Sequence, residues 1–121
     1  PGAISKGSAK FADLAAANGM DGSAPYVGES YDAAAIIALA IQAGGSADRK
    51  SILSNISKVS NAPGVVINPG QLAYGLQMLA AGNDIDYQGA TDVEFNVFGD
   101  AAGAFKELEV SGGTFVTVGA L

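Results

Sequence analysis

The chain has 121 residues, 49% of them hydrophobic, yet 23 residues are alanine and another 17 are glycine, so bulky apolar side chains suffice for one small core and no more. Six Lys and Arg against twelve Asp and Glu leave a net charge of −6, the wrong sign for gripping a phosphate backbone or an anionic membrane, which argues against nucleic acid as a partner. Histidine, cysteine and tryptophan are absent. Disulfides, thiolate nucleophiles, zinc centres of the usual kind and histidine acid-base catalysis are excluded with them.

The longest apolar run, Ala33 to Ile41, has nine residues, far short of the roughly 20 that span a bilayer. A soluble chain is expected. The opening Pro1-Gly2-Ala3 has neither Met nor a charged and apolar leader, which predicts a processed protein or a piece cut from a longer one.

In chain order, Phe11, Leu14 and Ala15 lie at helical spacing behind Ser8, a candidate N-cap, and Asn18-Gly19 supplies a stop, predicting a helix over 8–18. A second helix is expected over 27–43, closed by Gly44-Gly45; its segment Ala33 to Ile41 is apolar on every side and should be covered on every side. Ser46 or Asp48 caps a third over 48–59, whose Ile52, Leu53, Ile56 and Val59 form one stripe. After a short extended Val65-Val66-Ile67, Asn68-Pro69-Gly70-Gln71 reads as the start of a fourth over 69–81, with Asn68 as N-cap and Leu72, Leu76, Leu79 and Ala80 buried. Beyond Gly82 the period falls to two. Strands are expected over 93–97, 104–110 and 114–118, the last two joined at Ser111-Gly112-Gly113 as a hairpin.

Few residues offer chemistry. Asp84-Ile85-Asp86-Tyr87-Gln88-Gly89 has the acids and glycine of a calcium-loop opening, but Phe95 stands where calcium needs a glutamate, so it reads as a solvated loop. Glu107 and Glu109, like Glu94 and Asn96, share one side of an alternating strand and read as a wet face. Ser5-Lys6 has no catalytic partner, and neither Gly44-Gly45-Ser46 nor Gly112-Gly113 sits in a phosphate-binding frame. Nucleophile, base and oxyanion site never come together, so an enzyme is not expected, nor a metal or cofactor. The remaining cluster is Pro25-Tyr26-Val27-Gly28-Glu29-Ser30-Tyr31-Asp32-Ala33. There a helix N-terminus faces anions, tyrosines give flat walls, and Glu29 can hold an ammonium. The same residues also suit plain packing, with Tyr31 in the core and Asp32 and Glu29 in the first helical turn.

With its flanks, this cluster resembles the C-terminal third of the extracytoplasmic solute-binding proteins of ABC transporters for branched-chain amino acids and amides. The matching features are Phe11 and Gly19, Pro25-Tyr26, Tyr31-Asp32-Ala33, the leucine-rich Leu76 to Gly82, Tyr87-Gln88-Gly89-Ala90, and Phe95 with Gly99-Asp100. The resemblance covers about Phe11 to Val118. It implies an α/β fold: an incomplete Rossmann-like lobe of a type I periplasmic binding protein, about four helices followed by a small antiparallel strand set. Such proteins are roughly three times longer and close two lobes on their ligand. The chain then looks like a C-terminal fragment, periplasmic, serving a membrane permease, and its ligand is an amino acid or amide. Carried over residue by residue, ligand contact falls on Tyr26, Gly28 and Glu29; where relatives often place an aromatic residue, this chain has Gly28 or Glu29. The same fold also serves as the sensing domain of regulators, and a self-associating structural module is a further alternative. Scant cover for the apolar helix predicts self-association of the isolated piece.

Overall fold

The first helix, α1 (Ser8–Ala17), ends where Gly19 takes a left-handed φ of 72°. This computed structural model describes residues 2–4 and 8–120; the expectations placed on Ser5-Lys6 and on the side chain of Ser8 lie outside the described residues. After α1 come α2 (Val27–Gly44), α3 (Arg49–Ser60), β2 (Val65–Ile67), α4 (Leu72–Ala80), β3 (Ile85–Tyr87), β4 (Ala104–Ser111) and β5 (Thr114–Ala120), with β1 (Gly2–Ile4) leading the chain. Among the described residues the fold is mixed α/β, with four helices and two small sheets. No described helix is long and apolar enough to cross a membrane.

Asp48 caps α3 as its sequence suggests. Its carboxylate accepts from the Ser51 backbone N–H at 3.0 Å. The Ser46 hydroxyl and then the Ser51 N–H hold that carboxyl below its ordinary range.

The start of α4 differs from expectation. Gly70 adopts a left-handed φ of 82°, so helical geometry cannot run through it, and Gln71 rather than Asn68 is the N-cap. The side chain of Gln71 still reaches back, its Oε1 accepting from the Asn68 N–H at 2.9 Å.

The core is built by α2 lying against α3 and α4, with α3 and α4 also covering β3. Ala35, Ile36, Leu39 and Ala40 of α2 meet Val59, Ile67, Ile85, Tyr87 and Val93. Leu39 is wholly enclosed, a burial that stabilises by about 1.5–3 kcal/mol. Small residues set the spacing. A Cβ on Gly75 of α4 would stand 3.0 Å from Leu39 Cδ2 and 3.3 Å from Ile67 Cγ2, so glycine lets this helix approach closely.

Strands β2 and β3 pair in parallel, Val65 opposite Ile85 and Ile67 opposite Tyr87, with α4 as the crossover. This parallel pair departs from the antiparallel strand set expected from periodicity: three-residue strands are too short to display a period, and β3 carries Asp86 at its centre. The strand expected over 93–97 does not form either. The Asn61 side chain takes both backbone groups of Phe95, donating to its carbonyl at 2.7 Å and accepting from its N–H at 3.0 Å. Asn96 Oδ1 then folds the chain back by accepting from the N–H groups of Phe98 and Asp100.

The second sheet has the order β1-β4-β5, all antiparallel, with the β4–β5 hairpin turning at Gly112-Gly113. It is poorly covered. Phe115 is 75% exposed and Val110 67%. On α2, Ala33, Ala34 and Ile37 are exposed as well, so the apolar helix is not enclosed on every side as its composition demanded.

Candidate functional site

Asp32, in the second turn of α2, is buried, and its carboxylate gathers four donors. Oδ1 accepts from the Tyr87 hydroxyl and the Ala90 N–H, both at 2.8 Å. Oδ2 accepts from the Thr91 N–H at 2.8 Å and the Thr91 hydroxyl at 2.7 Å. A buried carboxylate so supplied offsets much of its lost hydration. Burial first, and then the Asp32 charge, push the Tyr87 phenol far above its ordinary pKa. Gly89 completes the junction: at φ 58° it lies against the Asp32 carboxylate and the Tyr87 ring, where a Cβ has no room.

A small second cluster adjoins this junction. Phe11 and Ala15 of α1 meet Ala90, joined by Leu14, Val27 and Tyr31. The rings of Phe11 and Tyr31 are 5.1 Å apart and tilted by 45°. The Tyr31 hydroxyl accepts from the Gly70 N–H at 2.8 Å.

The residues singled out for ligand contact stand together at the start of α2. Tyr26 precedes the helix in a left-handed conformation, φ 66°, with its side chain 73% exposed and making no capping bond. Gly28 is turned inward: a Cβ there would lie 3.3 Å from Ala90 Cβ and 3.7 Å from Thr91 Cγ2. It serves close packing of the helix on the 90–91 loop. Glu29 is half-buried in the first turn.

A different set of side chains lines a cavity of about 290 Å³: Asp86, Gln88, Asp92, Glu94 and Ala102. Asp86 is 6% exposed, its Oδ1 is enclosed without a hydrogen-bond partner, and its Oδ2 accepts a long 3.3 Å bond from Gln88 Nε2. Asp92 sits at a positive φ of 53°. Among the described residues no group of three acidic side chains is arranged to hold a metal ion.

Local pattern alone does not mark this cavity, since 84–89 reads as a solvated loop and Glu94 as the wet face of a strand. The available signal was Asp86 between two large apolar residues, Ile85 and Tyr87, which is anomalous once that segment is a buried strand. Glu107 and Glu109 stand exposed on β4, with a register irregularity between Glu107 and Leu108. Comparison with protein-family models, with curated proteins and with solved structures gave no match to this chain.

Proposed function

We propose that the chain is the C-terminal part of a two-lobed, periplasmic solute-binding protein that captures an amino acid or amide and delivers it to an ABC transporter permease. The observation that carries this reading is the Asp32 junction. Tyr31-Asp32-Ala33 and Tyr87-Gln88-Gly89-Ala90, two of the motifs on which the resemblance rests, meet there through the Asp32 carboxylate, and the Phe11 ring packs tilted against Tyr31 beside it. Motifs far apart in the chain thus serve one architectural purpose.

Two further features support the reading. A parallel β-α-β unit normally lies inside a wider sheet with helices on its faces, yet Val65 and Val66 of β2 are 37% and 42% exposed. The bare faces of α2 and of the β4–β5 hairpin likewise suit a surface that neighbouring polypeptide covers. In this reading Tyr26 offers its exposed ring to the ligand and Glu29 stands ready for an ammonium group. Gly28 acts through packing. Lobe closure about the ligand links capture to permease docking as a population shift, with no covalent step.

The test is calorimetric titration of the full-length gene product with a panel of amino acids and amides. Saturable one-to-one binding, weakened by Tyr26→Ala, is the expected result. Silence across the panel overturns the proposal. The bare hairpin also favours a second reading, a self-associating module, which gains if that silent protein forms stable oligomers through β4 and β5.

A further inference from the structure

We propose that the cavity lined by Asp86, Gln88, Asp92, Glu94 and Ala102 binds the ammonium group of a small organic amine. Asp86 is the reason. It is more than nine-tenths buried, it lines the cavity, and one of its carboxylate oxygens has no donor. Buried acceptors are nearly always paired, because an unpaired one forfeits its hydration without return. An ammonium group brings three donors and the opposite charge. Gln88 spends its amide N–H on Asp86 Oδ2, which leaves its carbonyl oxygen for a second of those donors.

Charge and size narrow the ligand. The lining carries three acids, Asp86, Asp92 and Glu94, and no basic side chain, so the cavity itself favours a cation. A bare metal ion does not suit, since the acids are not grouped for coordination. The volume of about 290 Å³ is also far larger than one ion needs and approaches that of small-molecule pockets. Ala102, with its short side chain, leaves room for a few carbon atoms beside the charged head. This site uses none of Tyr26, Gly28 and Glu29, so it stands or falls apart from the transport reading.

The test is an NMR titration of the 121-residue chain at constant ionic strength with propylamine, propanol and calcium chloride in turn. Propylamine is expected to shift the amides of residues 86–94 and 102 saturably, with propanol and calcium leaving them unmoved. Asp86→Asn should weaken propylamine binding at least about tenfold and Glu94→Gln about threefold, the scale of lost charge-assisted hydrogen bonds. Glu109→Gln, an exposed acid elsewhere, should change nothing. Glu94 is exposed, so its variant tests the site even if Asp86→Asn fails to fold. An equal response to propanol, saturation by calcium with propylamine silent, absence of saturation, or an equal loss in Glu109→Gln overturns the proposal.

Discussion

The helical core and the C-terminal hairpin are built from the same alanine- and glycine-rich stock and end in opposite states. Around α2, small residues let α3 and α4 close in until Leu39, Val59, Ile67 and Ile85 are sealed from water. Along β4 and β5, Phe105, Val110, Phe115 and Val118 point large apolar groups into solvent, and those strands pack chiefly on each other and on β1. The contrast teaches that closure here depends on close approach rather than on hydrophobic content. Where no helix approaches, an apolar strand stays bare.

The comparison breaks most readily at Asp32. Asp32→Ala strands the donors of Tyr87, Ala90 and Thr91 inside the protein. A loss of about 4 kcal/mol is expected by denaturant titration, a large share of the stability of a domain this size. Leu39→Ala leaves a cavity at the centre of the core and should cost about 3 kcal/mol. Gly89→Ala forces a side chain into a left-handed backbone position already filled by Asp32 and Tyr87. A loss of about 2 kcal/mol follows, read as a lower thermal midpoint.

The hairpin should behave otherwise. Phe115→Ser removes an exposed ring and should shift the stability of the isolated chain by no more than about 0.5 kcal/mol, while light scattering reports reduced self-association. Asp48→Ala, which removes the α3 cap, acts through the folded chain's titration. Because the carboxyl of Asp48 is held below its ordinary value in the folded chain, its contribution is present at neutral pH and is lost as the pH falls through that lowered value. The gap in thermal midpoint between the two proteins should therefore be widest near neutrality and close in acid.

Much of this contrast was legible in the residues themselves. Helices α1, α2 and α3 follow from apolar spacing, from the Asp48 cap of α3 and from the glycines that stop α1 and α2, and the β4–β5 hairpin from alternation around Gly112-Gly113. Three features were not. Local backbone geometry at Gly70 delayed α4, the side-chain amides of Asn61 and Asn96 displaced an alternating strand, and β3 was too short to register. The Asp32 junction spans 55 residues to Tyr87, and no local pattern announces a contact at that separation. Of the candidate ligand residues, Tyr26 is presented to solvent whereas Gly28 is committed to packing, a distinction that depends on where Ala90 returns.

Amide hydrogen exchange, compared between this 121-residue chain and the longer two-lobed receptor proposed above, tests most directly whether the bare surfaces belong against neighbouring polypeptide. The account predicts that β4 and β5 exchange readily in the 121-residue chain and become strongly protected in the longer protein, with Leu39 and Ile85 protected alike in both. Equal protection of β4 and β5 in the two proteins would contradict it.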